Sequence, residues 1–331
     1  MNFTSGITSS ILIGIIYGIG TVGFSLIYRY LKFPDLSTIM SIVVGSIATA
    51  TFTSKFGILT GILAGFVFGG LIGLATSLQI VFAKIPPILA GIISATAAYS
   101  LAFFLSSNQA VVDFPIGLRI PLNNIVSNVF SIQSLLTLIG ISLLICWVIS
   151  WVFSTKYGLY ILALFGSENY LANRHRKREF ATFSLLIIGN AIIGFSGGLA
   201  AIQNNTAVIP SHIDFLSIAL AAYSCGNFLM HLIAKPNIRQ FLDKDTKPSA
   251  LFWASVNFVS SKARLNDENP TKIFYTLFSY VIFAMLINIL FKTVEINLGG
   301  DNHSDWAIKA GIFFIILFLT TILDNFLKKS E

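Results

Sequence analysis

The sequence predicts an all-α, polytopic integral membrane protein with about nine transmembrane helices. Two observations carry this prediction. Only 11% of the 331 residues are charged and 55% are hydrophobic, whereas about 25% of the residues in a soluble domain are charged. The apolar residues also fall into long runs, most of them near the roughly 20 residues that a helix needs to cross the hydrocarbon of a bilayer.

The predicted spans follow one another along a single transmembrane domain of residues 1–331. They cover residues 7–27, 37–52, 57–83, 88–105, 132–153, 182–202, 215–234, 273–291 and 306–323. The first 28 residues hold no charge and lack the basic start of a secretory signal, so we interpret them as a span. The second span is short and rich in Ser and Thr, so we expect it to be tilted, broken, or shielded by neighbouring helices rather than by lipid.

The cations predict the orientation of the chain in the membrane. They concentrate in alternate connections, at residues 29–32, 84, 156–178, 235–272 and 328–329. Because cytoplasmic loops are enriched in Lys and Arg, nine spans place the N-terminus outside and the C-terminus in the cytoplasm. The net charge of +7 is therefore a sign of topology, and we expect no nucleic-acid partner.

Two predicted cytoplasmic segments stand out, a coupling loop at residues 155–181 and a loop insertion at residues 235–272. In the first, Gly158 and Gly166 bracket an apolar turn, and Ser167 with Glu168 is typical of the start of a short helix. A basic run at 174–178 follows. This pattern suits the docking of a partner subunit, and it equally suits an ordinary positive anchor at the membrane surface.

Five glycines in the third predicted span recur every four residues and form one stripe on a helix. They are Gly57, Gly61, Gly65, Gly69 and Gly73. A stripe without side chains lets another helix approach closely, so we interpret it as helix packing. The alternative is that the stripe lines a narrow path through the membrane.

The residues indicate no catalytic or metal site. The sequence contains no GxxxxGK[ST] motif, and neither the cysteines nor the histidines are spaced as metal ligands. No acidic residue lies within a predicted span, which weighs against a proton-coupled carrier. Asn190, Ser196 and Tyr99 are the polar residues that could line a path for a polar, uncharged or zwitterionic solute.

Five short segments in order along the chain carry a family resemblance. They are Phe33-Pro34-Asp35-Leu36, Leu89-Ala90-Gly91-Ile92, Gly166-Ser167-Glu168-Asn169, Gly189-Asn190-Ala191 with Ser196-Gly197, and Asp305-Trp306-Ala307-Ile308-Lys309. With these segments the sequence resembles permease subunits of bacterial ABC importers, in the branched permease family that serves branched-chain amino acids, ribose and other small solutes. Within that family it is most similar to permeases of tryptophan/tyrosine-type uptake systems.

The resemblance implies a multi-pass permease of the bacterial inner membrane that carries an amino acid or a similar small molecule. It implies three protein partners, which are a cytoplasmic ABC ATPase, an external solute-binding protein and a second permease subunit, either an identical copy in a homodimer or a related subunit. The ATPase would dock on Gly158, Gly166, Ser167, Glu168, Asn169 and Ala172. The chain itself would need no cofactor and catalyse no reaction. A self-contained secondary transporter or channel is the alternative, and a membrane-embedded enzyme ranks last.

Overall fold

The computed structural model describes residues 3–114, 132–158, 161, 175–209, 214–234, 270–297 and most of 311–320. These residues are helical except for turns and two short strands. The elements are α1 (Phe3–Leu31), α2 (Ser37–Phe56), α3 (Ile58–Val81), α4 (Pro87–Leu105), β1 (Val111–Asp113), α5 (Ile132–Ser154), α6 (His175–Asn204), β2 (Thr206–Val208), α7 (Phe215–Ala234) and α8 (Pro270–Asn297).

The fold class predicted from the sequence is confirmed. Among the described residues, seven helices are long and apolar enough to cross a membrane. Two shorter apolar helices, Phe215–Met230 and Gly311–Thr320, lie at the seventh and ninth predicted spans. The number of nine spans and the orientation of the two termini stay predictions.

Two helices begin inside segments that the sequence assigns to cytoplasmic loops. Helix α6 starts at His175, within the predicted coupling loop, and α8 starts at Pro270, at the end of the predicted insertion. The apolar periodicity of each helix begins a turn or more after its first residue, so hydropathy alone places these starts too late.

Three helices form the centre of the bundle. Burial within the protein covers 89% of the most apolar stretch of α1, 83% of that of α6 and 67% of that of α2. Helix α6 packs against α1, α2 and α3, and α8 packs against α1, α5 and α7. By contrast, α4 and α5 bury only 28% of their apolar stretches. The second span is therefore shielded by neighbouring helices, which is one of the three possibilities that its sequence left open.

Contacts between connecting segments show which of them share an end of the bundle. At one end Lys84, in the turn after α3, forms an ion pair of 2.6 Å with Glu179 in the first turns of α6. At the other end β1 and β2 form an antiparallel ribbon in which Val111 pairs with Val208. The ribbon joins the segments that follow α4 and α6, so these two helices run in the same direction and α3 runs opposite to them.

Candidate functional site

A seam of glycines brings α2, α3 and α6 together at the centre of the bundle. A Cβ atom added to Gly69 on α3 would lie 2.7 Å from the Cα of Gly194 on α6. A Cβ added to Gly45 on α2 would lie 2.5 Å from that same Cα atom. Since Cβ atoms do not approach other atoms so closely, the three backbones can meet here only because each residue is glycine. We call Gly45, Gly65, Gly69 and Gly194 the glycine seam.

The glycine stripe of the third predicted span divides into two parts. Gly61 packs against Thr53 and the Thr49 carbonyl of α2, and Gly73 packs against the Leu186 carbonyl of α6. Gly57 lies outside the helix, in the turn between α2 and α3, with φ of 91° and no atom within 4 Å of an added Cβ. Position 57 therefore needs glycine for the backbone conformation of the turn, because residues with a side chain rarely adopt that φ.

Beside the seam, a network of hydrogen bonds joins the start of α2 to the middle of α6. Asn190 donates through Nδ2 to Oδ2 of Asp35 at 3.0 Å and to the Leu186 carbonyl at 3.1 Å. The Ser41 hydroxyl donates to Oδ1 of Asn190 at 2.6 Å. The side chains of Asp35, Ser37, Ser41 and Asn190 are fully buried, and we call these four residues the polar joint.

The local sequence explains why Asp35 lies at this position. Its Oδ1 accepts a hydrogen bond of 2.9 Å from the Ser37 backbone N–H, and its Oδ2 accepts one of 2.8 Å from the Ser37 hydroxyl. Its carbonyl accepts a bond of 2.7 Å from the Thr38 hydroxyl. Asp35 thus satisfies donors at the N-terminus of α2, where the helix dipole also favours a negative charge. Pro34 before it fits a chain that enters a helix from an extended residue.

The environment of Asp35 raises the free energy of its charged form. Burial raises the pKa of the Asp35 carboxyl, and the hydrogen bonds from Asn190 and Ser37 act in the opposite direction. A Cβ added to Gly91, near the start of α4, would lie 3.1 Å from Oδ1 of Asp35. The backbone of α4 therefore also packs closely on the carboxylate.

The position of Asp35 along the bundle was not predicted from the sequence. Asp35 lies between two spans in sequence, which by itself suggests a place at the end of the bundle. Its partner Asn190, however, lies about eleven residues past Glu179, the first residue of the α6 span. At 1.5 Å per residue this is about 16 Å along the helix. The turn between α1 and α2 therefore reaches inward and carries a carboxylate to the level of the middle of α6.

Three of the five segments that carry the family resemblance meet at the polar joint. They are Pro34-Asp35-Leu36, the start of α4 around Gly91, and Gly189-Asn190-Ala191. A family model for the branched-chain amino acid transport system / permease component matches residues 6–226. The chain belongs to this family. No curated protein and no solved structure matches the chain significantly.

The structure separates the three residues that the sequence proposes for the path of the permease. Asn190 and Ser196 are fully buried in the bundle, and the Ser196 hydroxyl donates to the Ile16 carbonyl of α1 at 2.7 Å. Tyr99 is 43% exposed on α4, and its ring lies 5.1 Å from that of Phe103. A role of these residues in the path stays a prediction.

The predicted coupling loop lies mostly outside the described residues, including Gly166, Ser167, Glu168, Asn169 and Ala172. Gly158 is described, and a Cβ there would lie 2.7 Å from the carbonyl carbon of Phe153, so the chain after α5 needs a glycine to fold back closely. The Tyr157 hydroxyl donates to the Ser184 hydroxyl at 2.7 Å, and its ring packs edge-on against Phe180. Tyr157, near the start of the predicted loop, is therefore held against residues at its end and just after it.

An apolar cleft of about 260 Å³ lies between α5 and α6 in the permease. Its walls include Phe66, Leu144, Val148 and Ile188, and Tyr157 and Gly158 also line it. Among the described residues no group of three or more His, Cys, Asp or Glu residues could hold a metal ion. The cleft and the polar joint are separate features, since the apolar lining of the cleft contains no residue of the polar joint.

Proposed function

We propose that this permease is the membrane-spanning subunit of a bacterial ABC importer that a separate cytoplasmic ATPase drives. Membership of the family of branched-chain amino acid transport permeases makes the chain a membrane permease subunit rather than an enzyme. The ATPase, the solute and the partner subunits are the proposed part. The match over residues 6–226, which includes every helix of the central bundle, is the observation that carries the proposal.

The contacts around the predicted coupling loop support a role in docking the ATPase. Tyr157 near the start of the loop is hydrogen-bonded to Ser184 just after its end, so a partner that displaces residues 166–172 would displace α6 as well. Helix α6 then runs to the glycine seam and the polar joint. A force applied at the loop therefore reaches the central packing of the bundle through one continuous helix.

The remaining partners and the solute follow from the same family membership. The solute is an amino acid or a similar small molecule, an external binding protein delivers it, and a second copy of the chain completes the pathway in the bacterial inner membrane. Exposed apolar side chains on α4 and α5, among them Phe104, Leu144 and Trp147, support contact with lipid and with the second copy. Asn190, Ser196 and Tyr99 remain the proposed path residues.

One observation favours the alternative, a self-contained secondary transporter. A carboxylate buried among membrane helices, as that of Asp35 is, is typical of proton-coupled carriers. Against this reading, both oxygens of the carboxylate already accept hydrogen bonds from Asn190 and Ser37. We therefore keep the carrier as the second candidate, to be separated from the first by experiment.

The test is co-purification of the tagged permease in mild detergent, followed by identification of the bound proteins. One variant has residues 166–172 scrambled, and a matched control has the exposed residues 107–110 scrambled at the opposite end of the bundle. We expect an ABC ATPase with the native chain and with the control, and its loss with the first variant. A native chain that purifies without an ATPase and still transports solute in vesicles would support the carrier.

A further inference from the structure

The polar joint connects elements that the transport cycle would have to move together. The carboxylate of Asp35 belongs to the turn between α1 and α2, its partner Asn190 to α6, and the neighbouring Gly91 to α4. We propose that Asp35 is a positioning residue for transport, which acts through Asn190 to make the start of α2 and the start of α4 follow the motion of α6. This inference rests on the proposed function, because it assumes that the ATPase moves α6.

The contacts of α6 favour it as the element that carries motion inward. Near its start, Ser184 accepts a hydrogen bond from Tyr157, and Glu179 pairs with Lys84 in the turn between α3 and α4. The Lys84–Glu179 pair is exposed, and water and salt screen it, so it is a weak connection between α6 and that turn. The buried bond between Asn190 and Asp35 lies deeper and is shielded from water.

The hydrogen bonds of the polar joint allow only one register between α2 and α6. Both neighbours of the Asn190 Nδ2 atom, the Asp35 carboxylate and the Leu186 carbonyl, are acceptors. The donor from Ser41 faces Oδ1 of the same amide. These partners fix the orientation of the amide, since turning it over would set oxygen against oxygen. A shift of α2 along α6 would break the bond from Asn190 to Asp35 and the bond from Ser41 to Asn190. Ser37 alone would then donate to the buried carboxylate, and the loss of these bonds is costly in a water-free interior.

Glycine packing alone would not fix the register between α2 and α6. The seam formed by Gly45, Gly65, Gly69 and Gly194 lets the backbones touch, but smooth surfaces can slide against each other. The polar joint adds a fixed register between α2 and α6. The packing of Gly91 on Asp35 extends the register to α4, since any larger residue at 91 would press on the carboxylate.

Substitution at the joint can separate the positioning role from the capping role of Asp35. In Asp35→Asn, the amide oxygen can still accept from the Ser37 N–H, because Asn is as good an N-cap as Asp. Its NH₂ group then faces the NH₂ group of Asn190, so the connection to α6 is lost while the start of α2 is kept. Asn190→Asp instead sets two carboxylates against each other.

The double variant Asp35→Asn/Asn190→Asp restores a donor facing an acceptor across the joint. The amide at position 35 donates to the carboxylate at position 190, which still accepts from Ser41. The carboxylate oxygen also faces the Leu186 carbonyl in place of a donor, so the recovery is expected to be partial. Residues in direct contact show coupling energies of this kind in double-mutant cycles. Recovery in the double variant therefore reports the pairing between the two positions rather than the integrity of either helix.

The experiment uses proteoliposomes that hold the permease with its co-purified ATPase and binding protein. Uptake of an amino-acid mixture is measured by mass spectrometry together with ATP hydrolysis, and thermal midpoints of each complex are recorded. The matched control is Asn288→Ala, which removes a hydrogen bond of 2.8 Å from α8 to the Ser10 carbonyl of α1, away from the joint. Ser41→Ala is a milder variant in case Asp35→Asn does not assemble.

We expect Asp35→Asn to lower the solute moved per ATP hydrolysed about tenfold, with ATP hydrolysis retained, and the double variant to recover to within about threefold of the native ratio. Ser41→Ala should give a smaller loss, and Asn288→Ala should lower only the thermal midpoint. If Asp35→Asn or Ser41→Ala lowers the thermal midpoint but keeps the native ratio, the positioning role is wrong. If the native complex itself transports without hydrolysing ATP, the proposed function fails instead.

Discussion

Helices α2 and α5 are similar in length, yet the fold uses them in opposite ways. Of the seven helices that could span the membrane, α2 is the least apolar and α5 the most apolar, but α2 buries 67% of its apolar stretch and α5 only 28%. Residues of α2 such as Ser41, Ser46 and Thr49 are fully buried, whereas Trp147 and Trp151 of α5 are about 60% exposed. In a bilayer, therefore, the more polar helix belongs inside.

The reason for the difference lies in what each helix can bond to. The hydroxyls of Ser41 and Ser46 on α2 find a partner in a neighbouring helix or in their own backbone. Those of Thr49 and Thr53 are buried without a hydrogen-bond partner among the described residues, packed against Gly65 and Gly61 of α3. A hydroxyl facing lipid would find no partner on the lipid side. A leucine side chain on α5 has no hydrogen bond to lose when it faces acyl chains, and most of the surface of an indole is likewise apolar. Substitutions in the core formed by α2, α3 and α6 should therefore be more damaging than similar substitutions on α5.

The largest expected effect comes from enlarging a glycine in the seam. Gly194→Val should prevent native assembly, because a Cβ at Gly194 already meets Gly69 Cα at 2.7 Å and cannot be accommodated without separating α3 from α6. We expect a loss of about 3 kcal/mol or more, from the upper range for overpacked cores. The measurement is the monodisperse fraction after detergent extraction and its thermal midpoint.

Gly140→Val on α5 is the matched control for Gly194→Val. No atom lies within 4 Å of a Cβ added to Gly140, which is exposed. We expect native extraction and an unchanged or slightly higher thermal midpoint. Equal damage from both substitutions would contradict the contrast between a closely packed centre and an open α5 face.

A smaller effect is expected from removing a hydroxyl between helices. Ser196→Ala deletes the bond to the Ile16 carbonyl of α1 and should cost about 1 kcal/mol, the typical net value of one hydrogen bond. Thr137→Ala on α5 removes only a bond to the Ser134 carbonyl of its own helix and should be nearly neutral. Thermal unfolding in detergent compares the two. A greater loss from Thr137→Ala would show that α5 contributes more packing than its exposure implies.

The smallest effect is expected at the surface. Lys84→Ala removes the exposed ion pair with Glu179 and should lower stability by less than about 1 kcal/mol, because water and salt screen such pairs. The loss should vanish in 1 M NaCl. A large loss that persists at high salt would mean that the end of the bundle near Lys84 is held more tightly than its exposure suggests.

The sequence predicts the spans well because their signal is local. Seven of the predicted spans coincide with described helices that could cross a membrane, and the α7 helix has the predicted bounds of 215–234. The regular spacing of Gly61, Gly65, Gly69 and Gly73 likewise predicts close packing, since a period of four marks one face of a helix. Helix ends that continue into charged residues, such as the start of α6, are less predictable from hydropathy.

The polar joint could not be predicted because its members are far apart in sequence. Asp35 reads as a loop residue between two spans, and Asn190 reads as an isolated polar residue. Only the turn after α1, which places Asp35 beside the middle of α6, brings the two side chains together. The available signal was the resemblance itself, since Pro34-Asp35-Leu36 and Gly189-Asn190-Ala191 are both part of it.

Whether an ATPase drives this permease can be measured as solute uptake in proteoliposomes that contain the permease and its co-purified ATPase. An amino-acid mixture with the binding protein is added on one side, and ATP or a non-hydrolysable analogue is supplied on the other. We expect uptake with ATP and none with the analogue, and we expect the uptake to be lost when residues 166–172 are scrambled. Equal uptake with the analogue, or from vesicles that contain only the permease, would contradict this expectation.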